Sequence, residues 1–129
     1  MIYRAEERSI RLVLAGDAMP ARGLKPFDEP RYTALIDLVR GADAAFANLE
    51  TTVREPHEGT PSLTQGTPMS TPPALLGELQ WMGLTLLSCA NNHATDYGDD
   101  GLTAMLAHLR RAEQLSPPDD CRSICWRPR

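Results

Sequence analysis

The stretch that decides the fold is Leu84-Thr85-Leu86-Leu87 followed directly by Ser88-Cys89-Ala90-Asn91-Asn92-His93-Ala94-Thr95-Asp96-Tyr97-Gly98. The first four residues are a short apolar run that predicts a buried strand. Two carboxamides, an imidazole and a carboxylate then occupy six positions, and open α/β sheets bind their ligands at the carboxyl ends of strands. Such side chains bind divalent metals or transfer protons at neutral pH. The alternative is an Asx-rich turn, because Asn and Asp are favoured where the chain reverses.

Two earlier segments predict strands with polar exits. Ile10 to Asp17 is a β-rich apolar run of the kind expected for a central strand covered on both faces. Tyr32 to Arg40 has helical spacing and stops at Gly41. Ala42 to Ala47 then leads into Asn48-Leu49-Glu50, a weaker strand.

The segment from Thr51 to Thr71 is rich in Thr, Pro, Gly and Glu, and loops of this length are usually functional or disordered. It is long enough to cover a site. Thr71 is expected to cap a helix that begins at the following prolines and ends at Gly83. Gly98 opens a last amphipathic helix. The predicted order is therefore βαβαβα, in an α/β fold with a parallel sheet.

In a parallel sheet with right-handed crossovers, the three strand exits meet at one edge. Asp17, Glu50 and Asn92 offer hard oxygen ligands, and His93 offers a nitrogen ligand or an acid. This mixture suits Mn²⁺, Mg²⁺, Fe²⁺ or Zn²⁺ in a hydrolytic site. The alternative is that Asp17 and Glu50 cap helices or turns. The convergence favours a site.

Composition argues against a nucleic-acid-binding protein, a membrane-spanning protein and a disulfide-stabilised protein. The chain has 129 residues and a formal net charge of -4, which fits one domain and gives no electrostatic footprint for nucleic acid. The amino terminus lacks an apolar signal core, and no run approaches the roughly 20 apolar residues of a membrane span, so we expect a soluble, cytoplasmic protein. Three cysteines argue against a disulfide framework. Cys121 and Cys125 are either a metal-binding pair or a coincidence.

Three motifs in order resemble the CapA proteins of bacterial capsule and poly-gamma-glutamate synthesis, which are relatives of the calcineurin-like metallophosphoesterases. The motifs are Leu14-Ala15-Gly16-Asp17-Ala18-Met19, Phe46-Ala47-Asn48-Leu49-Glu50, and Cys89 to Gly98 with Gly101 after it. They lie within residues 10 to 112. The resemblance implies that this chain is the N-terminal βαβαβα half of a metallophosphoesterase-like α/β/β/α sandwich with a dinuclear metal site.

The resemblance also implies roles for single residues. It makes Asp17 a metal ligand, Glu50 a bridging carboxylate and Asn92 a ligand, with His93 as the acid that faces the phosphate. The residues expected to orient these ligands are Asn48, Asn91 and Asp96. For Asp96 the alternative is a capping role beside Tyr97 and Gly98.

The chain departs from the family after residue 112. Relatives continue into further strands and a His-rich Gly-His-His-Pro-His type segment that this sequence lacks. The other histidines are His57, expected to be solvated, and His108, expected to lie on a helix surface or pack there. We therefore divide the chain into a CapA-like domain at 1–112 and an aberrant or disordered tail at 113–129. The tail is either a frameshift or truncation product or a genuine flexible segment.

Three functions follow as hypotheses. The first is a truncated CapA-like metallophosphoesterase domain whose ancestor hydrolysed a phosphorylated or related cell-envelope substrate. The second is a non-catalytic accessory that binds an anionic polymer or a partner of the capsule machinery. The third is a non-functional fragment that self-associates through an exposed sheet edge.

Overall fold

The computed structural model describes residues 9–25, 27–62, 66–115 and 122–124. Its strands and helices, in chain order, are β1 (Leu12–Ala18), α1 (Pro30–Arg40), β2 (Ala44–Leu49), β3 (Thr52–Val53), β4 (Ser70–Thr71), α2 (Leu76–Met82), β5 (Leu86–Ser88), α3 (Gly98–Leu115) and β6 (Arg122–Ile124). Two short 3-10 turns, Pro73–Leu75 and Asn92–Thr95, precede α2 and α3.

A four-stranded sheet in the order β1-β2-β5-β6 organises the fold. All three pairings are parallel, as the predicted βαβαβα order requires. Because every crossover moves one step in the same direction, right-handed connections place α1, α2 and α3 on one face. Val39, Leu79 and Met105 from these helices indeed share one buried cluster with Ala47 and Leu87 of the sheet. The α/β class is confirmed.

The other face of the sheet carries a second apolar row. Phe46 is aligned with Leu14 on one side and with Leu86 on the other. Phe46 and Leu86 are half-buried, whereas Leu14 is 77% and Leu12 57% exposed. One helix-covered face and one apolar face are what half of an α/β/β/α sandwich presents.

The prediction that the first strand is central and covered on both faces is wrong. Within the part of the chain that the structure describes, β1 pairs with β2 alone and lies at the edge of the sheet. Most of its residues are exposed. An apolar run shows that a strand has two apolar faces, but not which elements cover them. The register also shifts between Leu14 and Asp17, so β1 bulges before it reaches its polar exit.

The long segment from 51 to 71 contains structure that the sequence reading did not predict. Thr52 pairs with Ser70, and Val53 with Thr71, in a two-stranded parallel sheet formed by β3 and β4. Thr71 therefore does not cap a helix. Pro72 occupies the position before the 3-10 turn, and its ring has no group that could cap it. The Thr71 hydroxyl donates to the Pro20 carbonyl at 3.0 Å instead.

The helix ends at Gly41 and Gly83 are confirmed. Gly83 has φ +100°, in the left-handed region that favours glycine. A Cβ atom there would lie 2.9 Å from Cγ of Arg40, so α1 and the end of α2 pack closely because this residue lacks a side chain.

Glu78 ties α2 to the loop before α1. Its Oε2 accepts hydrogen bonds from the main-chain amides of Leu24 at 2.7 Å and Lys25 at 3.1 Å. Its Oε1 lies 3.3 Å from the Lys25 ammonium. The Leu24 amide is the main reason that the pKa of Glu78 lies below its ordinary value.

The predicted tail is described only in part. α3 continues to Leu115, three residues past the predicted domain end, and β6 pairs with β5 although no strand was predicted there. The other residues of the tail, with Cys121 and Cys125, lie outside the described residues. The boundary at 112 stays a prediction. Among the helices that the structure describes, none has the length and apolar character to cross a membrane.

Candidate functional site

The structure brings the exits of β1 and β2 together through the side chain of Asn48. Its Nδ2 donates to Asp17 Oδ1 at 2.9 Å and also to Glu50 Oε2. One amide group therefore bridges two carboxylates. Asp17 and Asn48 are aligned neighbours in the sheet, and both precede the point where the strands end. Two of the three predicted strand exits thus form one polar cluster.

Asn91 adds the exit of β5 to this cluster. Its Nδ2 donates to Asn48 Oδ1 at 3.0 Å and to the Leu49 carbonyl at 2.8 Å. Its Oδ1 accepts the main-chain amide of His93 at 3.1 Å and so caps the 3-10 turn. The two readings of this stretch are therefore compatible, since the same side chain closes a turn and joins the site.

His93 and Asp96 form a close pair beside the carboxylates. Nδ1 of His93 lies 2.7 Å from Oδ2 of Asp96, and the Asp96 side chain is 3% exposed. An ionised carboxylate only accepts hydrogen bonds, so in this pair Nδ1 carries the proton. The other ring nitrogen, Nε2, lies 3.9 Å from Oε1 of Glu50. The ring thus turns its second nitrogen toward the acidic cluster.

The Asp96 carboxylate has a second partner on the long segment. Its Oδ2 accepts the main-chain amide of Met69 at 2.6 Å. Asp96 also ends the 3-10 turn, where its own amide contacts the His93 carbonyl. The Asp96 main chain thus ends a turn, while its side chain contacts the His93 ring. Its predicted role in orienting His93 stays a prediction.

Asn92 is the predicted site residue that the network does not include. It is exposed and begins the 3-10 turn. Within the described residues its side chain has no hydrogen bond to the cluster. Its role as a metal ligand stays a prediction.

Thr52 is a residue of this region that the sequence reading missed. It is fully buried, and its Oγ1 donates to the His93 carbonyl at 2.6 Å. The only signal in the sequence was its place directly after the polar exit of the second strand.

The other two histidines lie away from the cluster. His57 is exposed, as predicted. His108 on α3 packs against the long segment, with Nε2 2.8 Å from Oε2 of Glu58. The pKa of Glu58 lies below its ordinary value, first because the Glu55 amide donates to it and then because of His108.

The donor types at the cluster are those of a divalent cation site. Asp17 and Glu50 supply carboxylate oxygens, which suit Mn²⁺, Fe²⁺, Zn²⁺ or Mg²⁺, and His93 offers an imidazole nitrogen that can serve as a ligand or as an acid. The residue types fit a metal ion, but their spacing does not: across the described residues, no three His, Cys, Asp or Glu side chains are grouped closely enough to hold one. In this arrangement the Asn48 amide bridges the two carboxylates.

A parallel sheet with helices on one face and this polar cluster at its carboxyl edge define an α/β protein with a candidate site at its strand exits. Residues 11–116 match the family described as bacterial capsule synthesis protein PGA_cap. The chain belongs to this family, and the CapA resemblance is confirmed.

Two relatives come from Sinorhizobium fredii (strain NBRC 101917 / NGR234). They are the uncharacterized proteins y4uA and y4sH, each 31% identical over 94 residues, which are 70% of this chain. The same residues are 20% of each relative, so the chain spans about a fifth of the length of these proteins.

Proposed function

We propose that this capsule synthesis family member carries a metal-dependent phosphoesterase-type site that acts on a phosphorylated or related cell-envelope substrate. The observation that carries the proposal is the hydrogen-bond network from three strand exits. It links Asp17, Asn48 and Glu50 to each other, and through Asn91 to His93. A set of turns without a common function has no need to connect its polar side chains in this way.

Asp17 and Glu50, the two carboxylates that the Asn48 amide joins, would hold a divalent metal, with Asn92 as the further ligand that the family resemblance implies. When bound, such an ion supplies a water-derived nucleophile at neutral pH and neutralises a phosphoryl oxygen. Asn48 and Asn91 keep the carboxylates and the 3-10 turn in register with the sheet. These amides therefore fix the site without themselves reacting.

His93 is proposed as the general acid. Asp96 fixes the ring by accepting the Nδ1 proton, which leaves Nε2 on the side of Glu50. With a proton on Nε2, the ring donates it to the oxygen of the leaving group as the phosphorus–oxygen bond breaks.

An anionic substrate makes a cation necessary at this cluster. Asp17, Glu50 and Asp96 bring three carboxylates close to one imidazole. A phosphoryl group or an anionic polymer would be repelled by that charge. The same argument applies to the accessory function, which would need metal at the site or a different surface.

Metal binding and hydrolysis test the proposal separately. We would titrate Mn²⁺ and Zn²⁺ by calorimetry and measure Mn²⁺-dependent hydrolysis of bis(p-nitrophenyl) phosphate. We expect Asp17→Asn to lose metal and hydrolysis, and His93→Gln to lose hydrolysis alone. Asp28→Asn, an exposed acidic residue before α1, is the matched control and should change neither.

The two halves of the proposal fail in different ways. If neither ion binds, or if Asp17→Asn binds metal as well as Asp28→Asn does, the metal site is wrong. If metal binds at Asp17 and no phosphodiester is hydrolysed, the esterase chemistry is wrong. The cytoplasmic location, the anionic polymer partner and self-association stay predictions from the sequence.

A further inference from the structure

We infer that the small β3–β4 sheet positions the His93–Asp96 pair, with Thr52 as the positioning residue on β3. The inference rests on the proposed function of His93. Nothing in the sequence motifs assigns a role to this sheet, whose two strands come from the segment between the second strand and α2.

Thr52 holds the His93 main chain. Its side chain is fully buried, and its Oγ1 lies 2.6 Å from the His93 carbonyl oxygen. The main-chain amide of Thr52 is used separately, in a 3.1 Å hydrogen bond to the Met69 carbonyl. The hydroxyl is therefore not needed to form the sheet and acts only on the residue that carries the imidazole.

Met69 holds the other member of the pair. Its amide donates to Asp96 Oδ2 at 2.6 Å, and the same oxygen lies 2.7 Å from His93 Nδ1. Four hydrogen bonds thus form a closed ring through Thr52, His93, Asp96 and Met69. Linked hydrogen bonds in a site of low polarity strengthen each other. Loss of the Thr52 hydroxyl should therefore weaken the hydrogen bond between the His93 ring and Asp96.

The chain offers a matched control in the preceding residue. Thr51 is 1% exposed and is also a threonine, but its Oγ1 accepts from the Thr71 hydroxyl at 3.2 Å. That hydroxyl also has the Pro20 carbonyl within reach at 3.0 Å. Thr51→Val therefore leaves Thr71 with a partner and does not touch His93.

The test compares Thr52→Val, Thr52→Ser and Thr51→Val in the full chain. The main readout is the ring ¹H–¹⁵N signal of His93 Nδ1 at one fixed pH, which reports the hydrogen bond to Asp96 without requiring turnover. We expect the signal to be lost in Thr52→Val and kept in Thr52→Ser and Thr51→Val. Where hydrolysis is measurable, we expect kcat to fall about tenfold with KM unchanged, which corresponds to about 1.4 kcal/mol.

The inference is overturned if Thr52→Val keeps the wild-type His93 signal, or if Thr52→Ser loses it as Thr52→Val does. Should Thr52→Val fail to fold, Thr52→Cys replaces it, because a thiol has similar size and donates only weakly. A partial loss of the signal is then expected, and an unchanged signal overturns the inference. If the His93 signal responds while the wild-type protein hydrolyses nothing, the positioning stands and the proposed function fails.

Discussion

Asp96→Asn tests whether the buried carboxylate holds the site together. The change keeps the size of the side chain and removes its charge. In the wild-type protein one oxygen, Oδ2, accepts hydrogen bonds from the Met69 amide at 2.6 Å and from His93 Nδ1 at 2.7 Å. The side chain is 3% exposed, so water does not replace a weakened partner.

The magnitude follows from the two bonds. A hydrogen bond to a charged group contributes about 1.5–3 kcal/mol and a neutral one about 0.5–1.5 kcal/mol. The carboxamide oxygen of Asn can still accept both, so each bond weakens by about 1 kcal/mol or slightly more. Relief of the buried charge offsets part of the loss. We expect the free energy of unfolding to fall by about 2 kcal/mol, or the Tm by about 7 °C for a chain of this length.

Urea unfolding followed by circular dichroism measures the effect, with Asp100→Asn as the control. Asp100 is exposed in the first turn of α3, where a carboxylate contributes about 0.3–1 kcal/mol through the helix dipole. A loss for Asp96→Asn no larger than the loss for Asp100→Asn would refute the reasoning. The Asp96 carboxylate would then be exposed to water or unpaired in solution.

Three further tests, with four substitutions, address other parts of the structure. Glu78→Gln should lower the free energy of unfolding at about pH 7 and have a smaller effect at about pH 3, because a lowered pKa contributes stability above the ordinary pKa and this contribution is lost as pH falls through the folded value. Urea titrations at both pH values check this, and an equal effect at both would contradict it. Gly83→Ala should destabilise the protein by more than about 1 kcal/mol, because this residue has a positive φ and a close contact with Arg40. Gly77→Ala, in open space within α2, should instead stabilise it by about 0.5–1 kcal/mol. Thermal melts compare the two variants, and Tm values that shift in the same direction would rule out the strain argument. Leu14→Lys should reduce concentration-dependent self-association through the exposed sheet edge. Sedimentation measures this association, and an association that the lysine leaves unchanged would mean that the contact surface lies elsewhere.

The sequence predicted the parts of the fold that depend on local pattern. The run before Ser88 and the helix ends at Gly41 and Gly83 are set by a few neighbouring residues, and the structure confirms them. The position of β1 at the edge could not be read in this way. Leu12 and Leu14 are apolar whether the strand is central or lateral, and which elements cover them is decided by distant parts of the chain.

The site was predicted to the extent that it follows the strand exits. Parallel strands bring their carboxyl ends together, and this places Asp17, Asn48 and Asn91 in one network. The pair of His93 and Asp96 is also close in sequence. The contributions of Thr52 and Met69 were not predictable, because strands of two residues separated by 16 others are formed by tertiary contacts and not by propensity.

The β3–β4 sheet explains why the long segment belongs to the site even though it carries none of the motifs. Ser62 donates its amide to the Asp96 carbonyl at 2.7 Å, and Met69 donates to the Asp96 carboxylate. Ser62 and Met69 are thus both hydrogen-bonded to Asp96, the residue whose carboxylate contacts the His93 ring. A change in this segment should therefore alter the site if it shifts Asp96 or removes the Thr52 hydroxyl. Elsewhere in the segment, substitutions that preserve the Ser62 and Met69 amides should be tolerated more readily than those that remove either one.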